Sequence, residues 1–275
     1  MDDKVARLRQ VLEDMESVVV GFSGGVDSAL VTRVAHEVLG ERAIAMTAES
    51  PSLARAEFAE AQAIAACIGI RHVCVNPDEM ADPLYAANAP DRCYFCKKHS
   101  FGLFVEYARE HGYRYVADGN NADDVSDHRP GRRAAAELGV RSPLQEVGLT
   151  KAEIRQLARG LGLPNWDKPA AACLSSRIPY GTPVTPEALA QIEAAETYLR
   201  GLAFRQLRVR HHGQVARLEI EPEEFGRALQ LRNDIVSRLK ALGFAYVTLD
   251  LSGFRSGSMN EVMLQSGRTG PGHPA

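Results

Sequence analysis

The sequence predicts an α/β protein: a doubly wound, mostly parallel sheet followed by a second, smaller α/β domain. Two observations carry this. Apolar strand-like runs alternate with helix-patterned segments four times between the N-terminus and Asp118, which calls for parallel strands joined by crossover helices that cover both faces. After Thr185 the order becomes helix, strand, strand, helix, strand, and no internal repeat links it to what precedes. The expected divisions are a first domain over residues 1–165, a functional linker over 166–185, a small domain over 186–262 and a disordered tail over 263–275, which is Gly/Pro-rich at its end.

Taken in order, Val5, Leu8, Val11, Leu12 and Met15 form one apolar stripe and predict a helix over 4–15. The β-branched run Val18-Val19-Val20 reads as a strand, and it leads into Ser23-Gly24-Gly25-Val26-Asp27-Ser28. Ala29, Leu30, Val31, Val34, Ala35 and Val38 then recur at helical spacing until Gly40. Residues 43–48 read as a second strand, 55–68 as a helix stopped by Gly69, and 71–75 as a third strand. Cys67 on that helix and Cys74 in that strand are expected to be small buried hydrophobes. A loop with Pro77, Pro83 and Pro90 leads to Cys93-Tyr94-Phe95-Cys96; a helix then runs to His111, and residues 113–118 form a fourth strand.

Thr150 and Glu153 make a capping box, with Leu149 and Ile154 as its hydrophobic staple and Gly162 as the stop. That helix is read as structural. The Pro/Gly-rich linker carries Trp166, Lys168, Cys173, Ser176, Arg177 and Tyr180. Thr185-Pro186 opens a helix over 186–200, followed by strands at 206–211 and 214–220 around Gly213, a helix over 222–242 and a strand over 245–251.

A chain of 275 residues is long enough to bury a substantial core, and its net charge of −3 offers no global attraction to nucleic acid or membrane. No apolar run of about 18 residues exists, and the N-terminus reads as an amphipathic helix, so a cytoplasmic protein is expected. Only six of the 32 basic residues are Lys, which suits planar forks that grip phosphate or carboxylate, or simply a compositional bias. Five cysteines, with one close pair, argue for metal, cluster or thiol chemistry over a disulfide framework.

The hexapeptide at 23–28 reads as an anion cradle. Adjacent glycines let the backbone approach a ligand, and the N–H groups, the Ser23 and Ser28 hydroxyls and the positive end of the next helix converge on one oxyanion. No Gly-Lys-Ser/Thr follows, so it is not a Walker A loop. It resembles the SGGxDS loop of the PP-loop ATP pyrophosphatases, which split ATP between the α and β phosphates and adenylate a substrate; the resemblance places Asp27 in the Mg²⁺–pyrophosphate region. In a doubly wound sheet ligands lie beyond the carboxyl ends of the strands. Residues 23–28, 47–50 and 118–124 should therefore share one crevice, with Thr47, Gly119, Asn120 and Asp123 as nucleotide-binding candidates. Asp118-Gly-Asn-Asn-Ala-Asp-Asp124 can equally be an Asx-type turn.

Cys93-x-x-Cys96 and the distant Cys173 lack the second pair that a four-cysteine zinc site needs. Three thiolates would leave one iron of a [4Fe–4S] cluster open; a redox pair, a partial zinc site or incidental thiols are the plainer readings of a lone CxxC. Lys168 and Arg177 would favour a Cys173 thiolate if they face it.

Lys-Pro-Ala-Ala-Ala-Cys-Leu-Ser-Ser-Arg-Ile-Pro-Tyr-Gly, which begins at Lys168, together with residues 207–225 and 243–261, resembles the LarE family, ATP-dependent sulfur transferases that help make a nickel-pincer nucleotide cofactor. The resemblance covers nearly the whole chain. It implies a pyridinium biscarboxylate mononucleotide substrate, a carboxylate adenylated by ATP with Mg²⁺, and displacement of AMP by sulfur to give a thiocarboxylate. It also implies a homo-oligomer and a sulfur-delivery partner. Some family members sacrifice the cysteine matching Cys173, while others hold a [4Fe–4S] cluster on three cysteines. Cys93 and Cys96 favour the cluster here, and sacrifice of Cys173 stays open. By the same resemblance Ser176 and Arg177 shape the Cys173 pocket, Arg208 and Arg210 bind a substrate anion from one face of a strand, and Glu196 and Glu219 lie near the active site. Without the family these two would pass for surface carboxylates.

Three other readings compete. A PP-loop amidating ligase needs an ammonia source and gives Cys173 no role. A tRNA-thiolating enzyme predicts a basic RNA-binding surface or zinc ribbons, against which the net charge and the single CxxC speak. A non-catalytic nucleotide sensor would not turn ATP over.

Overall fold

A computed structural model of the chain describes residues 2–126, 130–169 and 172–255. The predicted disordered tail lies outside the described residues. The chain divides into two compact units, Met1–Tyr85 with Pro90–Ala172, and Ala86–Ala89 with Cys173–Ala275.

The first unit contains α1 (Asp2–Glu13), β1 (Val18–Gly21), α2 (Val26–Leu39), β2 (Ala43–Ala48), α3 (Arg55–Ile68) and β3 (Arg71–Val75). After the short α4 (Pro83–Ala86) come α5 (Arg92–Glu110), β4 (Tyr115–Ala117), α6 (Pro130–Glu137), α7 (Pro143–Glu146) and α8 (Lys151–Gly160). Its four strands pair in the order β3-β2-β1-β4, all parallel, with Val19 opposite both Ile44 and Val116. The period of two along β1 sends Val18 and Val20 into a core with α1, α2, α3 and α8, and Val19 into a second core with α5 and α6. A continuous apolar strand buried on both faces is what a doubly wound sheet requires. From β1 the chain steps outward to β2 and β3, then returns past β1 to lay down β4, so the topological switch falls between β1 and β4.

Two expectations fail here. Cys67 and Cys74 are both exposed. The inward stripe of α3 is Ala61, Ile64, Ala65 and Ile68, and Cys67 falls just off it. Strand β3 is a sheet edge, where Val73 and Val75 turn toward the core and Cys74 alternates to the other side. In addition, α5 begins at Arg92, so Cys93 and Cys96 lie within its first turns and not ahead of it.

The second unit comprises α9 (Pro186–Gly201), β5 (Leu207–His212), β6 (Val215–Ile220), α10 (Phe225–Gln230), α11 (Arg232–Ala241) and β7 (Tyr246–Leu249). Thr185 accepts a hydrogen bond from Ala188 N at 3.2 Å and Pro186 follows it, the cap and first-turn proline expected from the sequence. Strands β5 and β6 form an antiparallel hairpin turning at Gly213 (φ 63°), and β7 joins β6 in parallel. Leu207, Val209, Ala216, Leu218 and Ile220 pack on Ala195, Leu199, Ile235 and Leu239, which leaves Arg208, Arg210, Arg217 and Glu219 on the opposite face. The single helix expected over 222–242 is broken at Leu231, whose ψ of 9° leaves the helical region while its side chain packs on the core. Residues Ala86–Ala89 join this unit through Asn88, fully buried at φ 56°, whose amide donates to the carbonyl oxygens of Pro179 (2.9 Å) and Thr182 (2.8 Å). Among the described residues, no helix is long and apolar enough to cross a membrane.

Candidate functional site

In the first unit, the loop between β1 and α2 is built as a cradle. Gly24 has φ +71°, and a Cβ there would lie 2.9 Å from that of Ala61, so only glycine fits. The Ser28 hydroxyl donates to Gly25 O (3.1 Å), accepts from Ser23 N (3.3 Å) and lies 3.2 Å from the Ser23 hydroxyl. These contacts fix the loop before any ligand arrives. The N-cap of α2 is Gly25, which makes no side-chain cap, so the first N–H groups after Val26 stay directed outward, as anion binding requires.

Asp27, in the first turn of α2, has two unlike oxygens. Its Oδ2 lies 2.5 Å from Lys151 Nζ at the start of α8, while its Oδ1 is buried with no hydrogen-bond partner among the described residues. Burial pushes the Asp27 carboxyl above its ordinary range, Lys151 pulls against that, and the neighbouring Asp124 carboxylate adds to it. A buried oxygen without a donor, beside a second carboxylate, is a donor set that fits a hard divalent cation such as Mg²⁺.

The loop after β4 closes on the cradle. A Cβ on Gly119 would sit 2.8 Å from Ser28 N, so this backbone touches the cradle directly. Asp118, raised by burial, accepts from Asn120 N (3.0 Å) and from the Ser142 hydroxyl (2.7 Å). Asp123 accepts from Lys151 N (2.8 Å) and Asp124 from Asn121 N (3.0 Å). The loop is thus an Asx-rich turn and a wall of the crevice at once. A cavity of about 320 Å³ opens beside it, lined by Asn120, Arg132, Ser142 and Gln145 among others. Thr47 is buried; its hydroxyl donates to Phe22 O and meets His72 Nε2, each at 2.7 Å, so it braces the strand ends and is not directed at the crevice.

Sequence reasoning missed three residues of this site. Lys151 opens the helix read as structural, Asn165 donates to Gly24 O at 2.9 Å, and the positive charge of Lys97 on α5 partly offsets the rise that burial imposes on the Asp118 carboxyl. The one available signal was Lys151 directly after the Thr150 cap. The predicted capping box itself is present, with Glu153 accepting from Thr150 N.

In the second unit, Cys173 is exposed and its carbonyl oxygen accepts from the Ser176 hydroxyl (2.7 Å), Ser176 N (3.0 Å) and Arg177 Nη1 (3.1 Å). Ser176 and Arg177 therefore shape the backbone that carries the thiol. Arg177 also forms a two-pronged pair with Glu196 (2.8 and 3.1 Å). In the first unit, Lys168 is held by Glu57 and Glu60 (2.6 and 2.8 Å).

Glu196 and Glu219 are fully buried, not surface carboxylates. Burial pushes Glu196 up, but Arg177, Arg200 and Val209 N outweigh it and hold its carboxyl below the ordinary range. Glu219 pairs with Arg210 and Arg217, each at 2.9 Å. Arg208 and Arg210 share a strand face, as alternation predicts, yet differ in setting. Arg210 is fully buried on Glu219 and Ser176 O (2.6 Å). Arg208 is part-buried over the Phe254 ring, its charged form disfavoured by burial and by Arg210 and Arg177. An arriving anion would relieve that repulsion.

Cys93 and Cys96 stand three residues apart on α5, on one side of its first turns, a spacing that suits two ligands of one centre. Among the described residues, no group of three His, Cys, Asp or Glu side chains gathers to hold a metal ion.

Comparison with known proteins places the chain among relatives. The asparagine synthase family profile matches residues 6–212. The chain is 41% identical over 264 residues, 96% of each chain, to the pyridinium-3,5-bisthiocarboxylic acid mononucleotide synthase of Lactiplantibacillus plantarum, and 47% identical over 265 residues to an uncharacterized Synechocystis protein, covering 96% of this chain and 99% of that one. Similarity to one of the subunits of the glutamine-hydrolyzing GMP synthase of Archaeoglobus fulgidus is weaker, 26% over 211 residues, 68% of this chain and 65% of that one.

Proposed function

This chain belongs to the LarE family of PP-loop, ATP-using sulfur transferases, and from that premise we propose that it converts a carboxylate of a pyridinium biscarboxylate mononucleotide to a thiocarboxylate. The observation that carries the proposal is the similarity to the named synthase along 96% of both chains, cradle and Cys173 segment included.

A carboxylate resists nucleophiles because its charge is delocalised. In the proposed reaction its oxygen attacks the α-phosphorus of ATP, the α–β bridging bond breaks, and pyrophosphate leaves. The N–H groups at the start of α2 and the Ser23 and Ser28 hydroxyls hold the departing pyrophosphate, and Lys151 supplies positive charge beside it. Asp27 Oδ1 and Asp124 would hold Mg²⁺, which when bound neutralises charge on the phosphates. Gly119 and Asn120 line the nucleotide. In the second unit, Arg208 takes a substrate anion, while Glu196, Glu219 and Arg210 hold the arginine network in place.

Sulfur then attacks the carbonyl carbon of the mixed anhydride and AMP leaves. Cys93, Cys96 and Cys173 would hold a [4Fe–4S] cluster, which when bound supplies that sulfur through its open iron. The three cysteines and the paired spacing on α5 support this reading. The enzyme would work in the cytoplasm as a homo-oligomer, with a partner restoring the sulfide.

The test is to reconstitute the protein anaerobically with iron and sulfide and count products per chain. The proposal expects iron in the wild type, repeated turnover with added sulfide, and loss of repeated turnover in Cys93→Ala. Iron-free protein that makes one product per chain and loses the mass of H₂S would mean that Cys173 itself is consumed.

A further inference from the structure

We infer that Tyr94 is the positioning residue for the Cys93 and Cys96 thiols, held by Glu137 and Arg133 of α6 so that the sulfur pair keeps a fixed place relative to the nucleotide loop. The inference rests on the reading of these thiols as working groups and adds the device that sets them.

The first turn of α5 holds the buried Arg92 beside the exposed Cys93, and its N-cap, Asp91, makes no side-chain cap, so contacts that Tyr94 makes from the same turn add to its order. Tyr94 sits between the two cysteines, and its hydroxyl donates to Glu137 Oε2 at 2.6 Å. The guanidinium of Arg133 lies 4.1 Å over the Tyr94 ring and also pairs with Glu137 at 3.5 Å, which closes the grip from two sides.

Close backbone approach reinforces the contact. A Cβ on Gly131 would lie 2.8 Å from Lys97 Cγ and 3.3 Å from Cys93 O, so α6 packs on the cysteine turn itself at a position where a side chain would push it away. The other side of α6 reaches the crevice: Arg132 donates to Asp124 O (2.7 Å) and to Gln145 Oε1 (3.1 Å). Asp124 ends the loop whose Gly119 touches Ser28. A continuous set of contacts within one unit thus runs from the cradle through Gly119, Arg132 and Tyr94 to the two thiols. Tyr94 is only partly buried, so its hydroxyl contributes little to the core and its loss should leave the fold intact.

The test uses the metal-free full chain. Iodoacetamide alkylation of Cys93 and Cys96 is followed by peptide mass analysis, with the exposed Cys67 on α3 as an internal reference. Tyr94→Phe, which removes one hydroxyl, should change the rate at Cys93 and Cys96 relative to Cys67 several-fold while the Kd for a non-hydrolysable ATP analogue stays put. Glu137→Ala should reproduce the change, and Glu137→Gln, which keeps an acceptor, should restore most of the wild-type ratio. An unchanged ratio in both Tyr94→Phe and Glu137→Ala would overturn the inference, and so would equal acceleration at Cys67, which marks general loosening. Wild-type protein that takes up no iron yet shows the altered ratio in Tyr94→Phe would sink the cluster and leave the positioning role standing.

Discussion

Asp27 and Lys151, 124 positions apart, form a 2.5 Å ion pair that leaves the second Asp27 oxygen buried without a partner among the described residues. An orphaned buried acceptor costs about 1–3 kcal/mol, a strain that a bound cation would remove. Asp27→Asn keeps the shape and loses the charge. Pyrophosphate release should fall by roughly 100-fold or more, read in a coupled pyrophosphate assay across Mg²⁺ concentrations. Activity within a few-fold of wild type would exclude Asp27 from the cation site.

The pH dependence follows from the same pair. Burial raises the Asp27 carboxyl and Lys151 opposes the rise, so the ionised, working form should be lost on acidification at a pH above the usual Asp value of about 3.9. Lys151→Met removes the opposing charge, and the acidic limb of the kcat/KM profile should move to higher pH. For stability the sign is reversed from the usual carboxylate. The folded state binds this proton more tightly than the unfolded chain, so the contribution is present below the unfolded value and lost as pH rises through the folded one. Asp27→Asn should therefore melt no lower than wild type at neutral pH, which separates lost chemistry from lost fold.

Much of this was legible in the sequence. Strands β2 and β3 and helix α3 begin and end where the apolar runs and the glycines Gly40 and Gly69 place them, and the Thr150 and Thr185 caps are as expected. Such signals are local and repeat with the period of the element. The Asp27–Lys151 and Arg177–Glu196 pairs have no local signature, because only the tertiary fold brings their partners together. For the same reason Glu196 read as a surface residue. Cys67 and Cys74 failed differently: composition favours buried cysteine, but a sheet edge and a residue one step off a helical stripe are decided by packing.

Two glycines make a controlled comparison. Gly119→Ala forces a Cβ to 2.8 Å from Ser28 N and should weaken ATP binding strongly by displacing the cradle. Gly102→Ala, inside α5 with nothing within 4 Å of the new carbon, should raise stability by about 0.5–1 kcal/mol with ATP binding unchanged. Isothermal titration with a non-hydrolysable ATP analogue and thermal melts distinguish the two. Equal effects would contradict the close approach of the β4 loop to the cradle.

The buried arginine network of the second unit should be costly to break. Glu196→Gln leaves Arg177 buried without its counter-charge and should destabilise by about 3 kcal/mol, measured by urea unfolding at neutral pH. Because the Glu196 carboxyl is held below its unfolded value, this contribution is present above that value and fades as pH falls through the folded one. The gap between wild type and Glu196→Gln should narrow on acidification; a gap that is constant with pH would argue against the charge pair as its source.

The most direct test of the account follows the reaction itself. Incubate the anaerobically reconstituted protein with ATP, Mg²⁺, sulfide and the pyridinium biscarboxylate mononucleotide, and quantify AMP and the nucleotide product by mass spectrometry. The account predicts AMP and a product with one carboxylate oxygen replaced by sulfur, formed in step and in equal amounts, and neither from Asp27→Asn. ADP in place of AMP, or AMP with the nucleotide unchanged, would contradict it.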